Sequence, residues 1–271
     1  MFEHVIVPLD GSDHADRALT AARLVADRLG AQIVLLRATH PDDLDQATTE
    51  LKEKALTLEA PDAELVLDSR NDPVGAIVEA VEAHPGSIVC MSTHGRGGLG
   101  RALFGSVTEG ALTEADAPFL LVGPHADVDR LRMGDVLVPL DGSHRAETIL
   151  PLVTEWAVAT GASLWLVEVV DPKSAASVEA SGEDVAEGAY VERIAEGLPK
   201  DLPDVEWDVL HGKDPAKAIC EHAAEHDLPI VALATHGHSG IARLVAGSVS
   251  TRVAHDHTGV SLVIRTADPE D

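Results

Sequence analysis

The sequence carries the same six residues twice, Val7-Pro8-Leu9-Asp10-Gly11-Ser12 and Val138-Pro139-Leu140-Asp141-Gly142-Ser143, 131 positions apart. Gly30-Ala31 returns as Gly161-Ala162 at that same offset. Further on the offset becomes 142: Asp72-Pro73 returns as Asp214-Pro215, and Thr93-His94-Gly95 as Thr235-His236-Gly237. Gly105-Ser106 returns as Gly247-Ser248, again 142 positions on. The rise from 131 to 142 places 11 additional residues in the second copy, between about Asp171 and His211. Residues 174–182, rich in Ala and Ser, lie there and are expected to form a surface loop before a helix. A period of about 135 residues is too long for a solenoid, so each copy is a whole domain. The expected organisation is a first domain at 1–123, a polar linker at 124–134, a second domain at 135–266 and a tail at 267–271.

Within each copy the pattern alternates between strand and helix. Val5-Ile6-Val7-Pro8-Leu9 is a short apolar run, suited to a parallel strand covered on both faces. Ala15, Ala18, Ala22, Val25 and Leu29 follow at steps of three and four, which predicts a helix from Ser12 or Asp13 to Leu29, with Gly30 ending it. Ile33-Val34-Leu35-Leu36 is a second strand, and Leu44, Leu51, Ala55 and Leu58 mark a second helix. Leu65-Val66-Leu67 is a third strand. Asp72-Pro73 is an N-cap with proline at the first helical position, opening a helix that buries Ile77, Val78 and Val81. Residues 87–91 form a fourth strand, Ser106-Val107-Thr108-Glu109 reads as a capping box, and Phe119-Leu120-Leu121-Val122 is a fifth strand. The expected fold class is α/β: two tandem doubly wound, Rossmann-like domains. Each has a five-stranded parallel sheet of order 3-2-1-4-5 and four helices.

Such a sheet binds ligands beyond the carboxyl ends of its strands, where the strand order reverses. There the first strand ends at Asp10 and the fourth at Ser92, and the glycine loop after Ser92 leads to a helix start. A loop of this kind presents backbone N–H groups to an anion, usually a phosphate. The amides of Gly105-Ser106 and Gly247-Ser248 are expected to face it. Asp10 and Asp141 could accept from a ribose hydroxyl or an exocyclic amine, or could simply hold an Asx turn in their own loop. The appearance of Asp in both copies favours the ligand role.

The repeated VPLDGS, the loop with its middle glycine and the Gly-Ser ten positions later resemble the universal stress protein family, over nearly the whole chain. The loop glycines resemble the ATP-binding branch of that family. The resemblance implies that Pro8, Asp10 and the backbone near Ala38 hold the adenine end of ATP. Met91, Ser92 and Gly95 would line ribose and phosphates, and Gly105, Ser106 and Val107 the phosphate tail. The matching positions in the second copy are Pro139, Asp141, Val169, Ala234, Gly237, Gly247, Ser248 and Val249. Mg²⁺ or Mn²⁺ would ride with the phosphates. The family pattern has a glycine three positions before the loop's middle glycine. Here that position is Ser92 or Ala234, small enough for close approach unless the backbone needs φ > 0. The implied role is an ATP-binding stress-response regulator. A structural member of the fold that binds no nucleotide, and a weak ATP hydrolase, stay open as alternatives.

The remaining features narrow the field. With 20 basic against 46 acidic residues the net charge is -26, which speaks against nucleic acid and anionic membrane as partners. Six Lys against 14 Arg fits either a salt-rich cytoplasm or an ordinary acidic protein. No apolar run approaches the ~18 residues of a membrane helix, and the N-terminus enters a strand directly, so a cytoplasmic location without a signal peptide is expected. Cys90 and Cys220 read as small core hydrophobes. Trp156 and Trp165 read as core. The His255-Asp256-His257 spacing falls at a helix end and reads as surface, and the other His-x-His run is His236-Gly237-His238. Neither a P-loop nor a G-x-S-x-G elbow occurs, and no catalytic residue is assigned. The apolar fifth strands, 119–122 and 261–264, need covering. They are expected to pair or pack with each other as an intramolecular pseudo-dimer, or with another chain as a homodimer.

Overall fold

The computed structural model describes residues 2–94, 104–171, 188–235 and 248–265. The first copy contains β1 (His4–Pro8), α1 (Asp13–Leu29), β2 (Gln32–Ala38), α2 (Leu44–Thr57) and β3 (Glu64–Asp68), followed by α3 (Pro73–Ala83), β4 (Ser87–Ser92), α4 (Ser106–Glu114) and β5 (Phe119–Val122). The second contains β6 (Val136–Leu140), α5 (His144–Glu147), α6 (Leu150–Thr160), β7 (Leu164–Val170), α7 (Ala189–Gly197), β8 (Val205–His211), α8 (Pro215–Glu225), β9 (Ile230–Thr235), α9 (Ser248–Asp256) and β10 (Val260–Arg265). The expected helix starts are present. Ser12 caps α1 by accepting from the Ala15 N–H, and Asp72 caps α3 by accepting from the Gly75 N–H. Gly30 ends α1 at φ 66°.

All ten described strands join one sheet, in the order β3-β2-β1-β4-β5-β10-β9-β6-β7-β8. Each copy therefore has the 3-2-1-4-5 order, and every pairing is parallel except β5 with β10. At that antiparallel seam Phe119 faces Val263, Leu120 faces Leu262 and Val122 faces Val260. Two apolar edges that would each expose unpaired backbone thus satisfy one another. The intramolecular version of the expected pairing is the one the fold uses.

Helices cover both faces, and each face has its own apolar core. One core contains Val5, Ala18, Leu35, Cys90, Leu120, Val138, Trp156, Leu166 and Leu262; the other contains Ile6, Val34, Ile77, Leu121, Phe119, Ile219, Val231 and Val263. Both draw on both copies, so the two halves share their interior. Polar contacts close the seam around these cores. Arg28, at the end of α1, donates to the Thr160 carbonyl at the end of α6, and Phe2 meets Trp156 edge-on with ring centroids 5.9 Å apart. Arg265 donates to the Thr113 carbonyl at 3.0 Å and to Asp116 at 2.9 Å. Its duplicate position is Gly123, where a Cβ would sit 3.2 Å from the His255 carbonyl oxygen and closer still to that of Ala254. Only the absence of a side chain lets β5 end so near the last turn of α9.

Several expectations change. The long first helix of copy one is divided in copy two into α5 and α6, where Pro151 stands in the first turn of α6 and supplies no N–H. Val78 is only half-buried, as is Trp165, while Trp156 is fully buried and Trp207 is exposed. His257 is not on the surface: it is 2 % exposed, facing the Pro229 carbonyl. The extra segment at 174–182 and the tail at 267–271 lie outside the described residues.

Candidate functional site: paired clefts at the carboxyl ends of the strands

In copy one, the carboxyl ends of β1, β2 and β4 and the start of α4 surround a cleft of about 340 Å³. Pro8, Asp10, Ala38, Met91, Ser92, Gly105, Ser106 and Val107 all border it. Gly95 lies outside the described residues. The corresponding cleft of copy two, about 600 Å³, is bordered by Pro139, Asp141, Val169, Ala234, Ser248 and Val249. Gly237 and Gly247 also lie outside the described residues.

Asp10 makes the Asx turn and also stands at the edge of the cleft. Its Oδ1 accepts from the Ser12 N–H at 2.9 Å and the Ser12 hydroxyl at 2.6 Å, an Asx turn, while the residue forms part of the cleft wall. Asp141 repeats the turn, with Ser143 at 3.0 and 2.5 Å. The turns require φ of 80° at Gly11 and 77° at Gly142, a region that favours glycine. Under Gly11 lies the buried guanidinium of Arg37, so closely that a Cβ on Gly11 would meet its Nη1 at 2.6 Å.

The start of α4 departs from the expected capping box. Its cap position is Gly105, with no side-chain capping bond, and Ser106 is the first helical residue. The Gly105 N–H donates to the Thr93 carbonyl at 2.8 Å and so is committed to the protein. The amides of the first helical turn, Ser106, Val107 and Thr108, cannot reach an intrahelical acceptor, and these three residues line the cleft. An anion is best served by that turn rather than by Gly105. The hydroxyl of Thr108 holds the turn in place by donating at 3.3 Å to the carbonyls of Ser92 and Thr93. Ser250 does the same in copy two, bonding the Ala234 carbonyl at 3.1 Å. These two hydroxyls were not singled out from sequence, although both sit at the 142-residue offset.

Ser92 ends β4 and Ala234 is the next-to-last residue of β9, and neither is among the positive-φ residues, so neither position needs glycine for its backbone. The Ser92 hydroxyl turns toward the Val122 carbonyl at 3.4 Å. Sequence reading missed Asn71, a non-glycine residue at φ 56° in the wall of the first cleft. His94, from the repeated Thr-His-Gly, is buried in the same wall with its Nδ1 3.1 Å from the Thr93 hydroxyl.

The residues beside the two Asx turns differ in charge. Position 37 is Arg, paired with Glu50 at 3.5 Å, whereas its duplicate is Glu168. Burial, and next the nearby Asp141, raise the Glu168 carboxyl above its ordinary range. Asp214, which caps α8, is held below the carboxylate range by its bonds to Arg252 at 2.8 and 2.9 Å. Burial alone drives the Cys90 thiol far upward, as expected of an unreactive core cysteine, and Cys220 is pushed up to about 11.

Fold and clefts together define a duplicated open-sheet α/β protein with a crevice at the strand ends of each half, where proteins of this architecture bind ligands. The model of the universal stress protein family matches residues 1–123 and 133–265, and the chain belongs to that family. A universal stress protein of Thermus aquaticus is 29% identical over 136 residues, covering 45% of this chain and 99% of that one. One from Mycobacterium bovis is 30% identical over 193 residues, or 68% of this chain and 62% of that protein, so the match spans less than two thirds of that relative. Among solved structures, a universal stress protein from Archaeoglobus fulgidus superposes with TM-score 0.75 at 20% identity, covering 97% of this chain and 98% of that one. That likeness concerns the fold. Another universal stress protein, solved in complex with cAMP, covers 45% of this chain at 25% identity with TM-score 0.37; its ligand is a property of that protein. No described helix is long and apolar enough to cross a membrane.

Proposed function

We propose that this chain is an ATP-binding regulatory protein with one adenine-nucleotide cleft in each half. The observation that carries the reading is convergence. Every described residue that the family resemblance implicated borders one of two equivalent clefts at the sheet's switch points. In the first, Asp10 and the strand end at Ala38 would hold the adenine and ribose side. The N–H groups of the first turn of α4 would hold phosphates, with a divalent cation neutralising the rest of their charge. Phosphate at a helix N-terminus gains from both free donors and the helix dipole.

The geometry favours binding over turnover. Asp10 is already engaged by Ser12, and Thr93 with His94 forms a buried pair rather than an activated nucleophile beside a base. Hydrolysis, where it occurs, is slow. Because both cores cross the seam, a ligand that tightens one half acts on a shared interior. Occupancy would then alter conformation or partner contacts. The protein would act as an intramolecular pseudo-dimer in the cytoplasm.

The test is calorimetric titration of ATP into the intact chain and into Asp10→Ala/Asp141→Ala, with circular dichroism to verify folding. Weakening by roughly tenfold or more is expected, the loss of a charged hydrogen-bond partner. Unchanged affinity in the folded variant would remove the adenine-end assignment.

A further inference from the structure

Outside both clefts, three metal-ligating side chains from the two halves converge. His125 stands just after β5, in the segment joining the copies, while His255 and Asp256 end α9. One ligand atom from each lies within 4.8 Å of the other two. The closeness follows from the seam. Gly123 lets the chain run against the Ala254 and His255 carbonyls, and two residues later this delivers the His125 ring to 5.2 Å from that of His255, centroid to centroid.

We propose that His125, His255 and Asp256 form a binding site for a transition metal of the zinc class, joining the inter-copy segment to the last helix of the second half. The donor set carries the choice. Two imidazoles with one carboxylate suit Zn²⁺ and its neighbours, whereas Mg²⁺ prefers oxygen donors and retained waters. Three protein ligands leave one tetrahedral position for water.

The Asp256 carboxylate is already arranged for this. Oδ1 accepts from His255 Nδ1 at 2.7 Å, while Oδ2 faces Arg252 at 4.0 Å. Arg252 is itself committed to Asp214, so it does not fill the space between the two histidines. Metal entry would replace the His255–Asp256 hydrogen bond with bonds from both side chains to the ion. The half-buried His255 and exposed His125 and Asp256 have room for the small rotations that bring donors to ~2.0–2.2 Å from one ion.

Duplication does not account for this cluster. The positions matching His255 and Asp256 in the first half are Thr113 and Glu114, so only the second half carries an imidazole there. The site also touches the first cleft, because His94 in the cleft wall lies 6.4 Å from the His255 ring, centroid to centroid.

The experiment uses the intact, untagged chain, stripped with chelator and free of nucleotide. Co²⁺ is titrated in the visible d–d region, followed by displacement with Zn²⁺ and competition with Mg²⁺. The expected result is one Co²⁺ site with four- or five-coordinate absorption, displaced by Zn²⁺ and indifferent to Mg²⁺. His125→Ala, an exposed position, should weaken Co²⁺ binding at that site by more than about tenfold, the lower end of the losses measured for supporting groups around metal ligands. His255→Ala should do the same. Absence of saturable uptake would overturn the proposal. So would uptake that survives both substitutions, which would assign the metal to other histidines.

Discussion

The close approach of Gly123 to α9 predicts a specific cost for adding one methyl group. Gly123→Ala leaves the backbone conformation accessible, because Gly123 is not among the residues at positive φ. The new Cβ would nevertheless lie 3.2 Å from the His255 carbonyl oxygen and well inside contact distance of the Ala254 carbonyl. Both obstacles are backbone atoms in the last turn of a helix, so neither can rotate away. Forcing extra volume into a packed site costs about 1–3 kcal/mol. Against this, alanine restricts the unfolded chain and returns roughly 0.4–1 kcal/mol. The net expectation is destabilisation by about 1–2 kcal/mol, or a fall in Tm of roughly 2–8 °C for a protein of this size. Thermal and urea unfolding of wild type and variant measure it. Gly197→Ala is the control, since nothing lies within 4 Å of a Cβ at that position. It should be neutral or slightly stabilising. If Gly123→Ala matched Gly197→Ala, the tight seam between β5 and α9 would be refuted.

Two further outcomes follow from titratable groups that the fold buries partly, at Glu168, or fully, at His222. The Glu168 carboxyl is raised by burial and by Asp141, so the folded state disfavours its charge. Stability from this group is present at acid pH and lost as pH rises through the folded pKa. Glu168→Gln should therefore raise the urea midpoint at pH 7 and lose that advantage near pH 4, about the ordinary carboxylate value. His222 shows the opposite sign. Burial and the neighbouring His226 lower its pKa, and its Nε2 has no hydrogen-bond partner among the described residues, although Asp208 and Glu225 oppose the shift. Its neutral form stabilises the fold above the ordinary histidine value of ~6.5, and stability falls below that as the unfolded chain takes up the proton. His222→Leu should flatten the pH dependence of unfolding below about pH 6.5, and an unchanged slope would contradict this.

Sheet order and cleft walls were legible in the sequence because duplication printed them twice. VPLDGS located β1 and β6 with their turns, Asp72-Pro73 and Asp214-Pro215 located two helix starts, and apolar runs identified the central strands. The seam was partly legible: the uniform apolarity of Phe119–Val122 demanded a partner, but only the folded chain shows antiparallel pairing with β10. Other features depend on distances that sequence does not encode. Ser106-Val107-Thr108-Glu109 fits a capping box, yet the Thr93 carbonyl captures the Gly105 N–H and starts the helix one residue differently from the pattern. His257 looked external because it follows a helix end, but the Pro229 carbonyl lies over it and buries it. The meeting of His125 with His255 and Asp256 joins residues 130 positions apart, on opposite sides of the seam.

The central claim is that one chain carries two adenine-nucleotide clefts. Isothermal titration of ATP with Mg²⁺ into nucleotide-free, intact protein tests it directly. The account predicts saturable binding that reaches two nucleotides per chain, with Asp10→Ala and Asp141→Ala each weakening one of the two. Absence of saturable binding with ATP, ADP and AMP alike would contradict it. The fold would then stand as an interaction scaffold, its paired clefts serving no nucleotide.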